Sequence, residues 1–356
     1  MKITGFIFLT AVALVFRQSA LGVSPPGHVI GWGSNIAGEA TGVPSPGTYY
    51  STGLVTIAGQ RLTDAVAIAA GRSHSLALRS DGTVAGWGGN GRGEALGSGR
   101  QEPGGAGGTV QLGGAVLTNV VAISAGGNYS MALTRDGRAA AWGKGPGEGD
   151  DAGLALLLGL SNLVAIAAGW TYGIAANREG QLVCWGSRRA PDGLSNVVAV
   201  AAGGGFYAPT LALKSNGTVV QWSTGGLDSV PDEATNVMSL AAGEGHNLAL
   251  RKDGTVVGWG SNRFGEATGV PTSAFPHYSS GVVVIAGQPL ANVTAIAADT
   301  KFSLALKRDG TVVAWGYKGF HQTDVPAGLA GVVAIAAGDG FCLAITTNTA
   351  AWPAKR

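Results

Sequence analysis

The sequence predicts an all-β chain, a seven-bladed β-propeller closed by pairing of its N- and C-terminal strands. Three observations carry the prediction. A short Ala-Ile-Ala-Ala-Gly pattern recurs seven times, Asp-Gly-like pairs follow most copies at a steady distance, and tryptophan ends a strand in every repeat. Glycine supplies 61 of 356 residues, more than twice its usual share of about 7 %, and the repeat accounts for that excess. Self-similarity at a period of about 20–50 residues marks solenoids, propellers and arrays.

The seven copies are Ala67–Gly71, Ala122–Gly126, Ala165–Gly169, Ala199–Gly203, Ser239–Gly243, Ala295–Asp299 and Ala334–Gly338. Crowding near a central axis demands such small side chains, so these are read as innermost strands. A second strand of the Ser75-Leu-Ala-Leu78 type follows, then a turn at Asp81-Gly82, Asp136-Gly137, Glu179-Gly180, Asn216-Gly217, Asp253-Gly254 or Asp309-Gly310. Glycine supplies the positive φ that two-residue hairpins require. Third strands end at Trp32, Trp87, Trp142, Trp185, Trp222, Trp259, Trp315 and Trp352, spaced 37 to 56 residues apart, and their rings fill the wider space between sheets. No segment holds a 3.6-residue period, and the coils of a β-helix lack hairpins inside each repeat, so a propeller is predicted. Eight tryptophan strands face seven inner strands. Val29–Trp32 precedes any inner strand and is expected to close the last blade beside Val332–Thr346, with Trp352 outermost or frayed; Thr349–Trp352 competes for that place.

Lys2, the apolar run Gly5–Phe16 and the small residues Ser19, Ala20 and Gly22 have the order of a secretory signal peptide. Residues 1–22 are therefore expected to be removed, after Ala20 or Gly22, leaving residues 23–356 as one propeller domain. The run is shorter than the about 20 apolar residues a spanning helix needs, and Arg17 stops it; an uncleaved anchor is the alternative. The expectation is a secreted or periplasmic protein with no membrane insertion after signal removal. Formal charge is +2, and Lys2 and Arg17 leave with the signal, which removes the usual electrostatic basis for a nucleic-acid partner. Cys184 and Cys342 are too few for a disulfide scaffold or a four-cysteine zinc site. They fall in blades 3 and 7 and are expected to stay unpaired and buried.

The pattern Gly71-Arg-Ser-His74-Ser-Leu-Ala-Leu78, Asp81-Gly-Thr-Val84 and Gly86-Trp-Gly88-Gly-Asn90-Gly-Arg-Gly93-Glu94 resembles the repeat of the regulator of chromosome condensation family. It recurs from Gly243-Glu-Gly-His246 to Trp259-Gly-Ser-Asn262 and Gly265-Glu266, and the resemblance covers about Gly27 to Trp352. That family forms seven-bladed propellers. Where eukaryotic members continue Gly-Gln-Leu-Gly, this chain has Gly38-Glu-Ala-Thr41 and Gly265-Glu-Ala-Thr268. With the export signal, that ending looks like a bacterial secreted branch. The resemblance then implies protein binding through one propeller face, the theme of its secreted β-lactamase inhibitors, and not nucleotide exchange.

Function should sit where the copies diverge. The tips after the inner strands read Arg72-Ser73, Gly127-Asn128, Trp170-Thr171, Phe206-Tyr207, Glu244-Gly245, Thr300-Lys301 and Asp339-Gly340, and one end of a propeller gathers them onto one face. Arg72, Trp170, Thr171, Phe206, Tyr207, Glu244 and Asp339 are the candidate binding residues, since aromatic and arginine anchors dominate protein interfaces. Three long connections, Gly33–Thr63, Gly88–Thr118 and Gly260–Ala291, carry the strand-like runs Leu54–Ala58, Thr109–Leu112 and Val282–Ala286, read as outer strands. The neighbouring Tyr49, Tyr50, His277 and Tyr278 are read as rim packing, with a sugar or peptide shelf as the other possibility. His74 and His246 share a repeat position with Tyr129, Tyr172, Phe206, Phe302 and Phe341, which makes it structural. No metal spacing occurs, Glu148–Asp151 reads as a solvated loop, and Gly86–Gly91 matches a dinucleotide pattern without the helix it needs. The expectation is a monomeric binding scaffold, not an enzyme, with no cofactor and no metal, whose partner is a protein or an envelope component. A polysaccharide- or peptide-acting enzyme in the central funnel and a structural adhesion module are the alternatives.

Overall fold

The computed structural model describes residues 26–45, 47–97, 107–145, 160–205, 208–223 and 226–348. The expected signal segment, Phe206, Tyr207, the Glu148–Asp151 cluster and Trp352 lie outside them. All regular elements among the described residues are strands, arranged as seven antiparallel sheets and three short hairpins. Innermost strands are Ala65–Ala70, Val120–Ala125, Leu163–Ala168, Val197–Ala202, Val237–Ala242, Val293–Asp299 and Val332–Gly338 in blades 1 to 7. Each coincides with one of the seven predicted copies.

Ring closure follows the first of the two predicted arrangements. His28–Ser34 pairs with Phe341–Thr346, Trp32 opposite Cys342, so the N-terminal strand is the third strand of blade 7. The inner strand of blade 7 packs in turn against that of blade 1. Inner strands run toward one face, here the upper, which therefore carries the inner tips and the loops leaving the third strands. The Asp-Gly hairpins lie below. In blade 1 the Asp81 carboxylate accepts from the Thr83 amide at 2.8 Å and its hydroxyl at 2.7 Å while Gly82 takes φ 81°. These bonds, the amide first, hold Asp81 below the usual carboxylate range.

Adjacent blades are bolted together by a few buried polar bonds. Trp87, Trp315 and Trp32 donate their indole N–H to the carbonyls of Glu39, Glu266 and Gln322 at 2.9, 3.0 and 2.8 Å, each from the preceding blade. His74 and His246 reach Ser130 and Ser303 of the following blade, both at 2.8 Å. Burial lowers their pKa values to about 4 and about 3, so both rings are neutral linkers at pH 7. Tyr129 uses the same repeat position to donate to the Tyr172 carbonyl. The Gly-Glu-Ala-Thr segments are buckles. Glu39 accepts from the Ser34 hydroxyl (2.7 Å) and the Ile36 and Ala37 amides (3.2 and 2.7 Å), and Asn35 clamps both Thr41 and the Val43 carbonyl. Glu266 and Asn262 repeat the device in blade 5.

The predicted outer strands need a shift in register. The fourth strands are Tyr50–Leu54, Gly108–Thr109 and Tyr278–Val282, while most of each predicted run turns away into a separate hairpin, Thr56–Arg61, Gln111–Val116 and Val284–Pro289. Ala58 and Ala286 take φ 49° and 50° in two of those turns, so an apolar, β-branched run concealed a chain reversal. Blade 4 adds Gly226–Asp228 as a fourth strand that the pattern missed.

Candidate functional site

Seven inner strands of small residues leave a bowl on the upper face, about 760 Å3 counting its open mouth. Its walls are alanines such as Ala69, Ala125, Ala168, Ala242 and Ala298, and its lip carries Arg72, Trp170, Asp299 and Asp339. The lip is tied into a collar by backbone bonds between tips: Asp339 N–H to the Gly71 carbonyl (3.3 Å), Arg72 N–H to Gly126 (3.2 Å) and Gly127 N–H to Gly169 (3.3 Å). These bonds link the tips of blades 7, 1, 2 and 3 in series.

Two of the predicted residues pair across blades. The Arg72 guanidinium lies over the Trp170 ring, 5.0 Å from its centroid, an attraction of about 0.5–1 kcal/mol at an exposed site. Trp170 is half-buried and its ring covers Gly127 of blade 2, where any Cβ would collide with it. The aromatic is therefore held flat by one neighbour and capped by another. Asp339 stands on the blade 7 tip next to that of Arg72, and Glu244 lies just outside the lining, against Gly205. Thr171 is not part of the bowl; its hydroxyl pairs with Ser187 at 2.8 Å. Phe206 and Tyr207 lie outside the described residues.

Asp299 is the residue that sequence reasoning passed over. Six copies end the inner strand with glycine, and only blade 6 places a carboxylate there. That single break in an otherwise constant position was the available signal. Asp299 is half-buried and reaches over the bowl, so that a Cβ on Gly204 would lie 2.9 Å from its Oδ1. Burial, then Asp339 and more weakly Glu244, push its carboxyl from 3.8 to about 7, against the opposing hydrogen bonds from Thr300. The Thr300 hydroxyl stands 2.9 Å from an oxygen of both Asp299 and Asp339. The hydroxyl carries one hydrogen and so bridges the two acidic side chains with a single donor.

Of the aromatics read as rim packing or as a shelf, Tyr49 is 72 %, Tyr50 46 % and Tyr278 63 % accessible. Tyr50 meets His321 of blade 6 with ring centroids 4.2 Å apart. Cys184 and Cys342 are unpaired and in blades 3 and 7, and burial raises the Cys184 thiol to about 12. Among the described residues no three His, Cys, Asp or Glu side chains form a metal-ligating group.

Three stretches, residues 65–94, 120–147 and 238–266, match the model of the regulator of chromosome condensation (RCC1) repeat. The chain carries RCC1 repeats. Protein pim1 of Schizosaccharomyces pombe is 29 % identical over 157 residues, which are 35 % of this chain and 28 % of that protein. The match thus spans little more than a quarter of the curated relative. The crystal structure of Prp20p from Saccharomyces cerevisiae is similar with a TM-score of 0.69 at 19 % identity, covering 90 % of this chain and 92 % of that one. Yeast RCC1 (Prp20) bound to Kap60 gives 0.70 at 17 %, covering 99 % and 96 %. These likenesses establish an RCC1-type propeller fold.

Proposed function

We propose that this RCC1-repeat propeller is an exported, monomeric, non-catalytic scaffold that binds a protein or envelope component through its upper face. The observation that carries the reading is the Arg72–Trp170 pair, fixed on a collar of backbone bonds at the lip of an open bowl. Aromatic and arginine side chains that lose little freedom on binding are the anchors interfaces use. Protein binding is also what is described for the similar propellers, Prp20p with Gsp1p and histones and yeast RCC1 with Kap60. Export rests on the order of charge, apolar run and small residues in positions 1–22.

The test is a capture experiment with residues 23–356 against secreted and envelope fractions of the source, with the Arg72→Ala, Trp170→Ala double variant beside it. A protein held by the parent and lost by the variant supports the reading; a partner indifferent to the variant moves the site elsewhere. Sequencing the mature N-terminus checks export, with Leu21 or Val23 expected as the first residue. A catalytic reading draws on one observation, the Asp299 carboxyl near neutrality beside Asp339 at the bowl. It requires a polysaccharide- or peptide-cleaving activity that Asp299→Asn abolishes.

A further inference from the structure

Ten large hydrophobic side chains are exposed among the described residues. Eight of them, from Ile36 to Phe320, belong to the segments that leave the third strands of blades 5, 6 and 7, counting the first residue of each fourth strand. Within that sector three rings form a continuous ladder between blades 5 and 6. Phe264 meets Tyr317 at 5.0 Å and 58°, and Tyr317 meets Phe320 at 6.4 Å and 77°. The ladder ends beside Gly340, where a Cβ would lie 2.9 Å from the Phe320 ring, so it runs into the collar at Asp339.

Cations border it. Arg263 lies over Phe264 at 5.6 Å, Lys318 follows Tyr317 in the chain, and the Lys301 carbonyl accepts from the Tyr317 amide at 2.9 Å. All three side chains are exposed, and none forms an ion pair among the described residues. The nearby carboxylates are engaged elsewhere: Glu266 in its buckle, Asp324 with His321, and Asp299 and Asp339 with Thr300. An apolar strip bordered by three exposed cations that form no ion pair among the described residues complements an apolar segment bearing negative charges.

We infer that the Phe264–Tyr317–Phe320 ladder, with Arg263, Lys301 and Lys318, docks an extended acidic segment of a partner protein whose apolar side chains enter between the rings. A polysaccharide is the poorer fit. Sugars stack on open, coplanar faces, whereas these rings meet at 58° and 77° and two of the three are phenylalanine. The inference deepens the protein-binding reading of the upper face by naming the partner's chemistry, and it places the contact on the opposite side of the bowl from Trp170.

The probe is a phage-displayed library of random linear peptides selected against residues 23–356, followed by titration of the recovered peptides and of polygalacturonate. The expected result is enrichment of peptides combining Asp or Glu with Phe, Leu or Ile. Their affinity should fall about tenfold or more with Phe264→Ala, fall similarly with the exposed pair Arg263→Glu, Lys318→Glu, and weaken with added salt. The charge pair keeps the test valid should the ring substitution disturb folding. Recovery of basic or uncharged peptides, acidic peptides indifferent to both variants, or preferential binding of polygalacturonate would each overturn the inference. Peptides lost with Arg72→Ala, Trp170→Ala but not with the ladder variants would retire the ladder and leave the bowl; the reverse pattern would retire the bowl and leave the ladder.

Discussion

Replacing Asp299 with asparagine should stabilise the protein, and by an amount that grows with pH. In the fold its carboxyl titrates near 7, against 3.8 for an ordinary aspartate. Below pH 3.8 the group is neutral in both states and the fold bears no cost. Between pH 3.8 and 7 the unfolded chain releases the proton while the folded chain keeps it, so stability falls by about 1.4 kcal/mol per pH unit. Above pH 7 the deficit is complete, about 4 kcal/mol as a ceiling and about 2 kcal/mol once solvent reaching this half-buried group is allowed for. Asparagine cannot ionise and keeps the acceptor for the Thr300 amide. Urea unfolding of parent and Asp299→Asn at pH 4 and pH 8.5 measures the difference. The variant should match the parent at pH 4 and exceed it by about 2–4 kcal/mol at pH 8.5. An equal effect at both pH values, or a loss at pH 8.5, would refute burial and the Asp339 charge as the cause.

Other perturbations test the frame. A Cβ on Gly258 would drive into the Ala267 carbonyl, so Gly258→Ala should cost about 3 kcal/mol or more and lower the yield of folded protein, read by thermal melting. Glu266→Ala removes the acceptor of the Ser261 hydroxyl and the Phe264 amide. A loss of about 2–3 kcal/mol in urea unfolding is expected, with Glu266→Gln recovering part of it. Burial raises the Cys342 thiol well above its normal range and the Cys184 thiol to about 12, so thiol reagents should label neither at neutral pH until denaturant is added, when mass spectrometry should count two labels.

The frame was legible because its instructions are local and repeated. Ala-Ala-Gly, the Asp-Gly turn and the tryptophan each act within a few residues of themselves, and seven copies average out any one departure. The site was less legible because its geometry is set across blades. That Trp170 covers Gly127 and receives Arg72 joins three copies, and no spacing within one copy encodes it. Asp299 was visible as an exception, but its neighbours Thr300, Asp339 and Glu244 come from three blades. The outer runs failed for the opposite reason: Leu54–Ala58 is apolar enough to read as one strand, and the positive φ of Ala58 and Gly59 turns it back. Asn119, Asn162, Asn196, Asn236 and Asn292 take positive φ just before five inner strands, a role asparagine shares with glycine and one the repeat could have revealed.

The strand that carries Trp32 pairs early on one edge, with Tyr50–Leu54, but its other edge waits for Cys342, 310 residues later. Until then the growing chain has two raw sheet edges, one at each end, whose unpaired amides invite pairing with other chains. A ribosome that stops short leaves a protein permanently unzipped, even with six blades complete. The seam thus forms only once Phe341–Thr346 is present to cover the edge left by His28–Ser34.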